Sequence, residues 1–526
     1  METFNDYIIG PILSLSSQAI TNIPFIRKYL FGTADGKDVN LPPVAHFGEL
    51  VKLLQKFSVW GRHNIDRNLA NKLGHIYCWI PPPGFGGGNV KLIVNISEPE
   101  LVKKVLQDTK IFPTRGKTGL SDTVGEGLVE LPTGDIHSFH RRIIGSLLTH
   151  KHLINYVETI REETEVLVAK WFKNENENTT VNAHYDLTSC AQEIIGIIGL
   201  GQRFGAQHMT EEENTSVSET AFMMRRAALS TALGATTLSL ISSSKDNADE
   251  SRIRKDGYKE TIDRIDIALR SEKGNMINAM KTAVDDYGED GDPRKFTLQE
   301  IIDEFITIRG AGHETTSNTL SWVLLLLAQN PDKQNELFFE VNNVIAGVTA
   351  TFKEAENLDF TKMCIYEALR LYPTVPSFPR LSVEDTTLGG YDLPAGTLVF
   401  VSQSVMNIRH DLWGKDAKKF HPRRFDREDY SLELVQSMPK GCPGFEDNAE
   451  PGPLFGFAPF GAGKRTCPGQ RLALLESTII LSSLIKHFQI ELANPNKTVR
   501  DLSDITLGPK DGLYLKLKKR NTKSNL

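Results

Sequence analysis

Apolar residues recur at helical spacing over long stretches of this chain and at strand spacing only over short ones. The helical periodicity predicts helices at 156–172, 299–329, 332–345 and 360–371, with a further apolar run beginning near Gln470. β-like runs are expected at 75–80, at 90–95 and again at 396–402. Between the first two stand Pro81, Pro82, Pro83, Gly84, Gly86, Gly87 and Gly88, a turn-rich stretch that separates two strands of a small sheet. From 205 to 295 the periodicity is broken by polar clusters such as Ser242, Ser243, Ser244, Lys245 and Asp246. That stretch is expected to connect helices and is the place for a substrate lid. The fold class that follows is α+β, mainly α-helical, with a small β-rich region.

No internal repeat or low-complexity tract divides the 526 residues, so one catalytic domain over 41–526 is expected, preceded by an arm at 1–40. Within the arm, 7–26 carries no charge and is followed by Arg27 and Lys28, the charge layout of a membrane anchor. Pro11, Ser14, Ser16, Ser17, Gln18, Thr21, Asn22 and Pro24 dilute its apolar content below that of a spanning helix. The expectation is a weakly membrane-associating or partly ordered arm; Glu2 and Asp6 speak against a transit peptide. Localisation is left open between a soluble and a membrane-associated protein.

Composition narrows the classes. Hydrophobic residues at 40% and charged residues at 24% describe a globular chain, and a formal net charge of -6 gives no general attraction for nucleic acid. Five cysteines, odd in number and without a CxxC pair, suggest neither a disulfide framework nor a zinc site. Cys78, Cys190, Cys364 and Cys442 are read as ordinary thiols.

Cys467 differs. It lies in Phe460-Gly461-Ala462-Gly463-Lys464-Arg465-Thr466-Cys467-Pro468-Gly469, a glycine-rich loop that leads into the apolar run from Gln470. A cysteine just before a helix N-terminus meets backbone N–H groups and the positive end of the helix dipole, both of which favour a thiolate. Gly461, Gly463 and Gly469 let the backbone turn closely around it. These are the needs of an iron ligand.

The loop resembles the cytochrome P-450 signature F-x-x-G-x-R-x-C-x-G at every fixed position. The resemblance implies haem b with Cys467 as its axial thiolate, Phe460 packed near that thiolate, and Arg465 paired with a haem propionate. Thiolate ligation pushes electron density onto haem iron and favours O–O cleavage. Ala311-Gly312-His313-Glu314-Thr315-Thr316, inside the long helical run, resembles the family's distal motif A/G-G-x-D/E-T-T. By that likeness Thr315 holds the activated oxygen and Glu314 relays protons. Ala311 and Gly312 are expected to permit close approach over the haem, and a hydroxyl to disturb the helix ladder and leave a groove. His313 falls at the variable position and is read as packing or solvent-facing.

Further motifs keep the family's order. Glu367 and Arg370 form an E-x-x-R pair, joined by Arg424 of Pro422-Arg423-Arg424-Phe425, a triad expected to secure the fold rather than to act in catalysis. Arg380 stands where the family places a propionate-binding residue. His137 and Arg141 match W-x-x-x-R with histidine in place of tryptophan; imidazole N–H still donates a hydrogen bond.

The expected function is therefore monooxygenation: one oxygen atom from O2 inserted into an apolar organic substrate, with fatty acids ranked first and sterols or other isoprenoids second. Electrons are expected from a separate reductase or ferredoxin, docking where Arg141, Arg142, Lys464 and Arg471 present positive charge. Two other classes remain open at this point, a haem-dependent peroxide isomerase or dehydratase and a non-enzymatic haem sensor or carrier. Glu314 and Thr315 count against the peroxide reaction.

Overall fold

A computed structural model of the chain describes residues 30, 40–45, 57–81, 90–116, 125–173, 180–211, 262–271, 275–284, 294–426, 456–503 and 505–520. The expected arm before Leu30, the turn-rich stretch from Pro82, most of the predicted lid and Cys442 lie outside these residues. Among the described residues, no helix is long and apolar enough to cross a membrane.

The helices, in chain order, are α1 (Phe57–Leu73), α2 (Pro99–Gln107), α3 (Asp135–Ser146), α4 (His150–Lys173), α5 (Ala183–Leu200), α6 (Met276–Thr282), α7 (Leu298–Gln329), α8 (Pro331–Val344), α9 (Phe352–Glu356) and α10 (Asp359–Leu371). Two one-turn helices follow, α11 (Gln403–Met406) and α12 (His410–Trp413), and then α13 (Gln470–His487). The strands are β1 (Ile76–Trp79), β2 (Leu92–Ile96), β3 (Thr180–Asn182), β4 (Ser377–Leu381), β5 (Thr386–Leu388), β6 (Tyr391–Leu393), β7 (Thr397–Ser402), β8 (Phe488–Leu492), β9 (Asp501–Ser503), β10 (Leu507–Pro509) and β11 (Tyr514–Lys519). The mainly helical α+β expectation is met. Of the predicted helices, α7, α8 and α10 start one residue earlier than the periodicity indicated, while α4 starts six earlier, at His150.

α7 is the axis of the molecule. It opens on a capping box in which Thr297 Oγ1 accepts from Glu300 N at 3.2 Å and Glu300 Oε2 accepts from Thr297 N at 2.8 Å. Its second half, from Thr316 through Leu327, is buried on all sides, as expected of a helix that packs around its whole circumference. α5 lies along it, and α10 and α13 close the remaining sides. Leu320, Val323, Leu324 and Leu327 of α7 share this core with Ile479, Ile480, Leu481 and Leu484 of α13.

The principal sheet has the order β1-β2-β7-β4, with β2 and β7 parallel and the other pairs antiparallel. In it Arg380 of β4 sits opposite Val399 of β7. The β5–β6 hairpin turns at Gly389 and Gly390, with φ of 61° and 83°, the two successive left-handed residues of a tight hairpin.

The E-x-x-R helix behaves as expected and gains partners. Arg370 grips Glu367 with two hydrogen bonds of 2.7 Å, and Arg424 Nε reaches the same carboxylate at 2.9 Å. Arg370 also donates to the carbonyls of Asn407 and Ala417, at 2.7 and 2.5 Å. Asp416, unmarked by any motif, closes the far side of Arg424 at 3.0 Å. All three charges of the triad are buried, and they tie α10 to the irregular chain that runs through Trp413 toward Phe425.

Candidate functional site

The cysteine loop is shaped by backbone bonds. Gly461 N donates to Ala458 O and Cys467 N to Phe460 O, each at 2.8 Å. Gly461 and Gly463 take φ of 72° and 68°, a region that favours glycine. Gly463 is needed for a second reason: a Cβ there would lie 2.5 Å from the carbonyl oxygen of Leu106 at the end of α2. The half-buried ring of Phe460 packs against the main core.

At Cys467 the chain enters α13, with Gly469 as its N-cap. The backbone N–H groups of Gly469 and Gln470 donate to the sulfur and, with Arg115 and Arg141, lower the pKa of the thiol. Desolvation is the larger effect and leaves it above its ordinary value. Yet Cys467 is exposed, whereas Cys78, Cys190 and Cys364 are buried. A sulfur that is desolvated and still accessible lies in a recess, walled by protein with one side open. The three buried thiols are pushed upward by burial, with nearby carboxylates adding to it at Cys190 and Cys364, the mark of inert cysteines.

Around this recess four arginines converge. Arg465 is buried and donates to Val129 O at 3.5 Å. Its Nε and Nη1, and Nε of Arg115, are buried without a hydrogen-bond acceptor among the described residues. Arg141 donates to Thr466 O, beside Cys467, at 2.6 Å. Arg380 is buried and, among the described residues, bonds only the adjacent Pro379 carbonyl, at 2.9 Å. Burial first, then repulsion from Arg115 and Arg465, pulls Arg380 down to about 8. Burial, Arg115 and Arg141 likewise bring Arg465 down to about 9, against the pull of Glu130. His137 is buried in the same group, its pKa lowered to about 3 by burial, Arg465, Arg141 and Arg115, so it is neutral.

Buried cations with unused N–H groups call for an anion. Two carboxylates of a planar cofactor whose metal meets Cys467 fit both the charge and the orphaned donors. The donor set therefore suits haem b. Arg115 was missed by the sequence reading because it lies in no motif; only the fold brings it to the other three. Arg141, expected among the docking residues, is half-buried and turned to the loop, while Arg142, Lys464 and Arg471 are exposed.

The middle of α7 carries the Glu-Thr-Thr motif. Ala311 is exposed although the helix is buried further along, so an open space borders it. Gly312 corrects an expectation: a Cβ there would come within 3.1 Å of Ile195 on α5, so its smallness serves helix packing. The helix also runs unbroken from Leu298 to Gln329. Thr315 Oγ1 donates to the Ala311 carbonyl at 2.7 Å, so the hydroxyl shares that acceptor rather than opening the ladder. Buried His313 donates through Nδ1 to Arg309 O at 2.6 Å, and burial holds its pKa at about 4; it is a packing residue. Glu314 Oε1 accepts from the hydroxyl of Thr506 at 2.5 Å. Thr506 was likewise absent from the sequence reading.

One turn of α3 joins the two sides. Arg141 reaches the cysteine loop, and its neighbour His140 bonds Glu304 of α7 at 2.7 Å. Fold and recess together define a helix-rich haem-thiolate protein. The cytochrome P450 family model matches residues 41–516, and the chain belongs to that family. It is similar to cytochrome P450 97B2, chloroplastic, of Glycine max, 26% identical over 484 residues, 82% of this chain and 80% of the relative. A cytokinin hydroxylase of Arabidopsis thaliana is 27% identical over 485 residues, 87% and 84% of the two chains. An 11-oxo-beta-amyrin 30-oxidase of Glycyrrhiza uralensis is 28% identical over 440 residues, 81% and 78%. The protein is accordingly an oxidoreductase of the monooxygenase class that binds haem b through an axial cysteine thiolate and uses O2, an organic substrate and a redox partner.

Proposed function

We propose that Cys467 is the axial ligand, that Arg115, Arg141, Arg380 and Arg465 with neutral His137 bind the haem propionates, and that Thr315 and Glu314 manage protons on the distal side. The observation that carries this reading is the cluster of arginines, with buried unused N–H atoms on Arg115 and Arg465, beside the exposed Cys467. Haem, when bound, supplies an iron centre that activates O2, and the thiolate favours O–O cleavage.

The chain's own residues do the rest. The N–H groups of Gly469 and Gln470 stabilise the thiolate form of Cys467. Phe460 and Gly461 shape the loop around it. Ala311 leaves room above the cofactor. The Thr315 hydroxyl, anchored on Ala311 O, keeps lone pairs free to accept a further hydrogen bond. Glu314, at the next position, is the group that moves a proton toward it.

The substrate we propose is apolar, with fatty acids first from the likeness of 372–422 to fatty-acid-hydroxylating members. Sterols and isoprenoids come second, and the amyrin oxidase among the relatives keeps them in the same screen. Electrons come from a separate protein that docks on exposed Arg142, Lys464 and Arg471. Residues 41–526 form the catalytic domain, and 1–40 an N-terminal arm or a weakly membrane-associating segment. The test is a titration of the purified ferric protein with fatty acids, sterols and terpenoids, followed by the haem spectrum, together with reductant-dependent O2 consumption. A spectral shift and O2 uptake with a fatty acid support the reading. Rearrangement of a fatty-acid hydroperoxide without reductant makes the protein a peroxide isomerase, and ligand binding with neither reaction makes it a sensor.

A further inference from the structure

Glu314, Asn318 and Trp322 stand four residues apart on α7 and so form one stripe along it. The β9–β10 hairpin is docked on that stripe at every one of them. Thr506 donates to Glu314 at 2.5 Å. Asn318 Nδ2 donates to Thr506 Oγ1 at 3.4 Å. A Cβ on Gly508 would lie 2.5 Å from Asn318 Oδ1, so the strand backbone rests on that side chain. Trp322 Nε1 donates to Leu507 O at 2.9 Å, while its ring stacks on Tyr372 at 4.4 Å and 10°. Leu507 N is bound in turn by Thr374 O at 2.8 Å. At the hairpin's other end Asp501 pairs with buried His63 of α1 at 3.0 Å.

A threonine hydroxyl has one proton. Because Thr506 Oγ1 accepts from Asn318, that proton points to Glu314, and the carboxylate is held by a short, charge-assisted bond. Thr506 is itself buried, so water does not readily take its place. We infer that Thr506 is a positioning residue for proton delivery: it fixes the Glu314 carboxylate in the orientation from which it serves Thr315. This rests on the reading of Glu314 as the distal proton carrier. Thr506 touches neither the cofactor nor the substrate in this role; it acts through Glu314.

The test compares Thr506→Val, which removes the hydroxyl, with Thr506→Ser, which keeps it, and with Glu314→Gln, all as full-length holoenzymes. Two readouts need no substrate or redox partner. One is the infrared C–O stretch of the ferrous carbonyl complex, which senses polar groups on the distal side. The other is the rate at which dithionite-reduced protein is reoxidised by dissolved O2, in H2O and in D2O. Thr506→Val is expected to shift or split the C–O band and to slow reoxidation by roughly ten- to a hundredfold, the range for losing a hydrogen bond to a charged group. Thr506→Ser should match the parent in both. If Thr506→Val does not retain haem, Thr506→Ala, which only removes atoms, is read in its place. Parental band and rate in the hydroxyl-free variant, beside a changed Glu314→Gln, overturn the inference and leave the reading of Glu314 standing. A lower unfolding midpoint with both readouts parental makes Thr506 merely structural and overturns it too. If Glu314→Gln is also parental in both, the reading of Glu314 itself fails.

Discussion

Cys467 is held by backbone groups no more than seven residues away, the carbonyl of Phe460 and the N–H groups of Gly469 and Gln470. Glu314 is held by a hydroxyl 192 residues further along the chain. Glu314 sits on α7 and Cys467 in the loop that leads into α13, two helices of the same core; the thiolate loop is a local structure stiffened by glycines, and the distal site is a meeting of α7 with a distant hairpin. The proposed ligand, which must not move, is placed by short backbone bonds. The carboxylate proposed to carry a proton is placed by a side-chain bond that can be made and broken. Substitutions near Cys467 should therefore affect whether the haem site exists, and substitutions near Glu314 how well it works.

The largest effect is expected from Cys467→Ser, which should abolish the thiolate-type ferrous carbonyl spectrum, because an alcohol is a harder and poorer donor. Substitution of Cys78, Cys190 or Cys364 should leave that spectrum intact; an unchanged spectrum in Cys467→Ser would refute the ligand assignment. Next comes Arg370→Ala, which leaves Glu367 buried beside Arg424 alone and should cost about 3–5 kcal/mol. It should be seen as low haem incorporation and a depressed unfolding midpoint, although the residue is remote from the motif loop in sequence. A variant with parental stability would show that the triad does not support the proximal side.

Gly463→Ala should destabilise by about 1–3 kcal/mol from its positive φ alone, with the approach to Leu106 O added. Chemical denaturation against Gly134→Ala, where a Cβ meets nothing within 4 Å, measures the difference. On the distal side, Thr315→Ala should keep haem and substrate binding but release more peroxide per product, by roughly tenfold if one charge-relay hydrogen bond is lost. Product, peroxide and reductant measured together decide it, and parental coupling would break the comparison.

The smallest effect is on pH. Burial keeps the His313 pKa at about 4 in the folded protein, against about 6.5 in an unfolded chain. Between these values the unfolded state binds the extra proton, so stability present above pH 6.5 is lost as pH falls toward 4. His313→Gln should reduce the difference in unfolding midpoint between pH 7 and pH 5; an unchanged difference would remove His313 as a cause.

What could be read from the residues alone follows the same division. Helices α7, α8 and α10 were legible because their hydrogen bonds are local and their apolar period repeats for several turns. The cysteine loop was legible because its glycines, arginine and ligand are contiguous. Arg115 was not, because it joins Arg141, Arg380 and Arg465 only after β4, α3 and the loop have packed. Gly312 was misjudged for a related reason: its small size suggested close approach over the haem, and only the position of α5 shows Ile195 against it.

By itself, then, the sequence determined the helical class, the cysteine loop and the order of the motifs, since each depends on residues close along the backbone. Tertiary structure decided which cations share one recess, that Asp416 joins the charge triad at Arg424 and which hydroxyl holds Glu314. Those are contacts between side chains far apart in the chain, and no local period or spacing records them. They exist only because burying the apolar faces of α5, α7, α10 and α13 forces the connecting strands and loops into reach of one another.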